Sequence, residues 1–108
     1  MNILYVDNKN LPRIWYNKQN FIERAVTYEE AIEAIKHKKY DIIDIKLEIE
    51  GSANGCDIIR YIIKNQLNIP CIYIHSKDGE MRNQMIKLIK NFTKSNIQYY
   101  EICLLYTS

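Results

Sequence analysis

Ile3-Leu4-Tyr5-Val6-Asp7-Asn8 is a short apolar run closed by an acid and an amide. Four consecutive apolar residues without alternation suit a strand buried on both faces, as strands of parallel sheets are. Pro70-Cys71-Ile72-Tyr73-Ile74-His75-Ser76 repeats the pattern, and Asp41 to Leu47 follows it with two internal charges. Helical periodicity fills the intervals. Thr27-Tyr28-Glu29-Glu30 carries a Thr followed three residues later by Glu, a capping box, and Tyr28, Ala31, Ile32 and Ile35 then share one face up to about Lys38. Ile58, Ile59, Ile62 and Ile63 mark a second helix over Asp57 to Asn65, ended by Asn68 and Pro70. Met81, Met85, Leu88, Ile89 and Phe92 mark a third over Glu80 to Thr93. Phe21 to Val26 and Ile97 to Ile102 complete the strands, and Leu11 to Asn20, with Pro12, reads as a loop. Strand and helix alternate, which predicts right-handed crossovers and a doubly wound α/β fold on a mostly parallel sheet.

Composition narrows the class. The chain has 108 residues, enough for one core and one domain. Hydrophobic residues make up 47% and charged residues 26%, which excludes disorder, and no apolar run approaches a membrane span. Met1 to Asp7 has no basic start and too short an apolar stretch for a secretory signal, so a cytoplasmic location is expected. Fifteen Lys and Arg against thirteen Asp and Glu leave +2, too balanced for a protein built mainly to hold DNA or anionic lipid. Cys56, Cys71 and Cys103 show no CxxC or Cys/His spacing, so reduced thiols are expected rather than disulfides or zinc. The abundance of Ile, Asn and Lys fits AT-rich coding in a bacterium or phage. Cys103-Leu104-Leu105-Tyr106-Thr107-Ser108 equals one reading frame of a transposase adapter used in sequencing libraries, and these six residues are set aside from fold reasoning.

In a sheet of this kind ligands gather outside the carboxyl ends of the strands, where the following helices point their positive amino termini. Asp7 and Asn8 close the first strand, Asp44 and Lys46 the third, and His75 with Ser76 the fourth. The three glycines, Gly51, Gly55 and Gly79, fall in the loops of the same rim, which predicts close approach of backbone to a ligand.

With these residues the chain resembles the receiver-like domains named for cyclic-phosphate processing, relatives of response-regulator receivers. The resemblance runs from about Ile3 to Phe92. It rests on Val6-Asp7-Asn8 with Pro12 and Arg13, on Ile43-Asp44-Ile45-Lys46-Leu47, on Asn54-Gly55-Cys56-Asp57-Ile58, and most specifically on Ile74-His75-Ser76 followed by Arg82 and Met85. It implies a single flavodoxin-like receiver domain over residues 1–102, three layers α/β/α. It also implies a metal-dependent phosphoesterase acting on cyclic or terminal phosphates of nucleotides or RNA, with Mg²⁺ on Asp7 and Asp44. Family members usually carry a second acid where Asn8 stands and a second aspartate, after a histidine, where Lys46 stands. Lys46 therefore competes for the cation's place.

The roles that follow are chemical. Ser76 would hydrogen-bond a phosphate oxygen, Arg82 and Lys46 would pair with the anion, and the amides opening the third helix would face it. His75, with an ordinary pKa of about 6.5, suits proton transfer to a leaving alkoxide or from water, and Asp44 holds metal or water or accepts the phosphoryl group. Each residue has a plainer reading. His75 suits a structural histidine, Asp7 a turn cap, Asp44 with Lys46 an ion pair, Arg82 a solvated side chain, and Cys56 a small buried residue. Tyr28, Tyr61, Tyr73, Met81 and Met85 suit packing. Three functions compete: a cyclic-phosphate processor, an inactive pseudo-receiver that binds a nucleotide or protein, and a receiver phosphorylated on Asp44. The last normally needs a lysine ending the fifth strand, and Ile97 to Ile102 has none. The partner expected is a phosphate-containing small molecule or RNA end, with no membrane and no DNA.

Overall fold

The computed structural model describes residues 1–9, 15–49, 53–92 and 98–102. Five strands form one sheet: β1 (Asn2–Val6), β2 (Phe21–Ala25), β3 (Ile42–Lys46), β4 (Cys71–His75) and β5 (Gln98–Ile102). Their order is β2-β1-β3-β4-β5, and every pairing is parallel. Three helices connect them, α1 (Tyr28–His37), α2 (Gly55–Lys64) and α3 (Gly79–Phe92). This is the flavodoxin-like receiver architecture of the α/β/α class. Among the described residues the element types match the sequence reading, with shifts of one or two residues at the ends. Pro12, Arg13, Gly51 and the 103–108 segment lie outside the described residues.

Two clusters explain why the strands read as unbroken apolar runs. Leu4, Val6, Ile43, Ile45, Ile72 and Ile74 point to one face, where Ala31 of α1, Ile58, Ile59 and Ile62 of α2, and Met85 and Ile89 of α3 join them. Ile3, Tyr5 and Ile42 point to the other face and pack with Trp15, Ile22, Cys71 and Tyr73. A period of two sends neighbours to opposite faces, so a strand covered on both sides must be apolar at every position. Each fully buried isoleucine of α2 contributes about 1.5–3 kcal/mol. Tyr28, Met81 and Met85 pack as expected, and no helix among the described residues is long and apolar enough to cross a membrane.

The helix starts are chemically specified. At α1, Thr27 Oγ1 accepts the Glu30 amide at 3.1 Å, while the Glu30 carboxylate reaches the Val26 amide at 3.4 Å, one residue earlier than the reciprocal bond of a standard capping box. At α2, the Asn54 side chain accepts the Cys56 amide at 2.9 Å, and the Asp57 carboxylate accepts the Asn54 amide at 2.9 Å. Such a cap is worth about 1 kcal/mol and fixes where the chain leaving β3 turns into α2. The strand order reverses at β1 and β3, so the crevice of the fold opens beyond Val6 and Lys46.

Candidate functional site

Asp7 follows β1, Asp44 lies inside β3, Lys46 ends β3 and His75 ends β4. Parallel register aligns Asp44 with Tyr5 and Tyr73, and Lys46 with His75. Tyr5 and Asp7 are two residues apart and share a face, so the Tyr5 hydroxyl donates to Asp7 Oδ2 at 3.1 Å. The imidazole of His75 lies between the two aspartates. Its Nδ1 is 2.5 Å from Asp44 Oδ1 and its Nε2 is 2.9 Å from Asp7 Oδ2. Tyr5 stacks on the ring, with centroids 5.6 Å apart and planes 10° from parallel. Trp15 donates from Nε1 to Asp44 Oδ2 at 2.7 Å and meets Tyr73 edge-on. Asp7, Asp44 and His75 are each 0% exposed.

This geometry fixes a proton count. A neutral imidazole has one N–H and one lone pair, and a lone pair facing a carboxylate oxygen at these distances is repulsive. Two attractive contacts require two protons among Asp7, His75 and Asp44. The trio therefore carries one negative charge, and buried Lys46, its Nζ 3.9 Å from Asp7 Oδ1, brings the set to zero. Burial opposes the charged form of His75, but hydrogen bonds and charge from Asp44 and Asp7 outweigh it and raise its pKa above the ordinary value.

The same contacts answer whether a divalent cation fits. Asp7 Oδ1 accepts the Lys9 amide at 2.8 Å and faces Lys46. Asp7 Oδ2 is held by Tyr5 and His75, Asp44 Oδ1 by His75, and Asp44 Oδ2 by Trp15. Each carboxylate oxygen already has a donor, and among the described residues no three His, Cys, Asp or Glu side chains are arranged to hold a metal ion. Asn8 Oδ1 is a buried acceptor without a hydrogen-bond partner, but it is a neutral amide oxygen. As arranged, the site does not fit Mg²⁺, whose hard coordination shell needs several free oxygens.

The remaining predicted residues form a neighbouring cluster. Ser76 is almost fully buried, and its hydroxyl donates to Glu48 and accepts the Asp78 amide at 3.0 Å. Arg82 Nη1 donates to the Ser76 carbonyl at 3.1 Å, so its side chain lies along the rim. The Glu80 and Met81 amides, expected to face a phosphate, are capped by Asp78 Oδ1 at 3.0 and 3.1 Å. Cys56 is buried, and burial pushes its thiol pKa up, which suits a packed residue and not a nucleophile. Burial, aided by the Asp44 charge, pushes the Cys71 thiol up to about 11. The glycine reading needs correction: Gly55 is pressed against β3 backbone, and Gly79 has room for a side chain.

The family model for the cyclic-phosphate processing receiver domain matches residues 2–91. The chain belongs to that family. No match was found among curated proteins. The cyclic-phosphate processing receiver domain shares its fold with solved response-regulator receivers. The Francisella response regulator 1452 receiver domain is 20% identical with a TM-score of 0.68, covering 93% of this chain and 82% of that one. TrrA from Thermotoga maritima, solved in complex with Mg²⁺-BeF, is 19% identical with a TM-score of 0.69, covering 95% and 87%. NtrX from Brucella abortus, solved with ADP, is 17% identical with a TM-score of 0.65, and the match spans 93% of this chain but only 23% of NtrX. In this cyclic-phosphate processing receiver domain Asp7, Asp44, Lys46 and His75 meet, while Ser76 and Arg82 belong to the neighbouring cluster. Three participants escaped that reading. Tyr5 was signalled by its spacing of two from Asp7, Trp15 only by being the single tryptophan, and Glu48 by nothing beyond a polar loop.

Proposed function

We propose that this domain binds the phosphate of a nucleotide or RNA end over the carboxyl rim and opens a cyclic phosphate there. The observation that carries the reading is the His75 imidazole held between Asp7 and Asp44 beside Lys46. A proton carrier with a raised pKa and a fixed cation are the two groups that phosphodiester opening needs. In the step, water adds to phosphorus and the bond from phosphorus to a ribose oxygen breaks. The imidazolium delivers its proton to that oxygen, and the water proton returns to the trio. In this reading the ring leaves Asp7 to reach substrate, because Nε2 makes the longer of its two carboxylate contacts. Family membership supports the substrate class.

A second reading, a pseudo-receiver that binds without turnover, is favoured by the complete burial of the trio. The phosphoacceptor reading requires an open Asp44 oxygen, and both are engaged. Incubating the protein with 2′,3′- and 3′,5′-cyclic nucleotides and following phosphorus resonances separates the first two. Ring opening is expected. Binding without new resonances would establish the pseudo-receiver, and neither binding nor turnover would remove both readings.

Mg²⁺ association enters through TrrA, and in this chain Lys46 competes for Asp7 Oδ1 while His75 and Trp15 hold the Asp44 oxygens. Lys46→Met is expected to tighten Mg²⁺ binding by about tenfold, equivalent to about 1.4 kcal/mol, as measured by calorimetry. Equal affinity in the wild type would show that the ammonium does not stand in the metal's place.

A further inference from the structure

We propose that Glu48 is a resident anion occupying the phosphate-binding donors, so that a ligand must expel it to bind. The inference rests on the phosphate reading above and adds to it the residue that regulates access. Glu48 lies two residues beyond β3, on the connection to α2. Its Oε1 accepts the Ser76 hydroxyl and faces the Asp78 amide at 3.4 Å. These are a side-chain donor and a main-chain donor at the entry to α3, the amide shared with Ser76 Oγ at 3.0 Å, and together they are the pair a phosphate oxygen would take. Arg82 Nη1, bonded to the Ser76 carbonyl, puts a guanidinium on the same residue.

The carboxylate fills that place incompletely. Glu48 Oε2 is buried and has no hydrogen-bond partner among the described residues. A carboxylate kept as ordinary structural glue would satisfy both oxygens or leave one in water, because an unpaired buried acceptor is costly. A tetrahedral phosphate has more acceptor oxygens than a carboxylate and suits a site of several donors better. Two anions cannot share Ser76, since like charges at contact repel strongly where water is excluded. Occupancy by phosphate is therefore coupled to displacement of Glu48. The coupling is reciprocal: whatever holds Glu48 on Ser76 weakens phosphate binding by the same factor.

The test measures inorganic phosphate binding by calorimetry at pH 7 and low ionic strength in the wild type, Glu48→Gln, Glu48→Ala, and Glu48→Gln with Ser76→Ala. Gln preserves shape and removes charge, so packing loss is controlled. Glu48→Gln is expected to bind at least about tenfold more tightly than wild type, with Glu48→Ala at or above that gain, and Ser76→Ala should abolish it. If the wild type binds phosphate and neither Glu48 variant binds more tightly, the resident anion is wrong while the phosphate site stands. A gain that survives Ser76→Ala also overturns the proposal, because the ligand then lies elsewhere. Absence of binding in all four proteins overturns the phosphate reading itself.

Discussion

His75→Ala is expected to lower the unfolding free energy by about 3–5 kcal/mol near pH 6, the cost of breaking a buried ion pair by removing one partner. The ring satisfies one oxygen of Asp44 and one of Asp7, both fully buried. Without it, two carboxylates face a cavity and lose their shared ring donor, with Lys46, Tyr5, Trp15 and the Lys9 amide among the donors that stay in place. The loss carries a pH signature. The folded pKa of His75 is raised, so its stabilising contribution is fully present below the unfolded value of about 6.5. It is lost as pH rises through the folded value. Wild-type stability should therefore fall between pH 6.5 and the alkaline end of the range, and His75→Ala should lack that fall. Urea unfolding at pH 5.5, 7, 8.5 and 9.5 measures both curves. Parallel curves would mean that His75 titrates alike in the folded and unfolded chain, and that the proton count is wrong.

The fold was legible because burial on both faces leaves a mark that needs no tertiary information. Ile3 to Val6 and Cys71 to Ile74 are apolar at every step, and two clusters on opposite sides of the sheet use alternate residues of each. The rim was legible for the same reason in reverse, since Asp7, Asp44, Lys46 and His75 interrupt runs that otherwise tolerate no polar group. What those residues do to one another was not. A sequence can place His75 beside Asp44 in the next strand, but the choice between a ring turned to substrate and one clasped by two carboxylates depends on side-chain direction and on Tyr5 stacking over it. Glu48 was invisible because a loop acid has no periodicity, and its Ser76 contact spans 28 residues. The phosphate-facing amides of α3 were misjudged because Asp78, one residue ahead of the helix, caps them from within the chain.

Gly55→Ala tests the correction made to the glycines, and the expected loss is about 3 kcal/mol or more, at the upper end of overpacking costs. A Cβ on Gly55 would lie 2.4 Å from the Lys46 carbonyl oxygen, 2.7 Å from Leu47 Cα and 2.8 Å from Ile45 Cγ2. Two of these are backbone atoms of the strand end that positions Lys46, and the Gly55 amide is itself bonded to the Leu47 carbonyl at 3.0 Å. Neither partner can swing aside as a flexible side chain would, so α2 must move off the sheet or β3 must bend. Bending β3 would carry Lys46 away from Asp7, which ties a packing defect to the charge balance of the site. Gly79→Ala is the matched control. Among the described residues its Cβ would meet the Arg82 guanidinium alone, at 3.5 Å, and alanine at a helical position gains up to about 1 kcal/mol over glycine. Urea midpoints of the two variants should therefore move in opposite directions. If Gly55→Ala unfolds at the same midpoint as Gly79→Ala, the close approach of α2 to β3 is not a constraint on this fold, and a ligand's need for bare backbone at Gly55 becomes the better reason for that glycine.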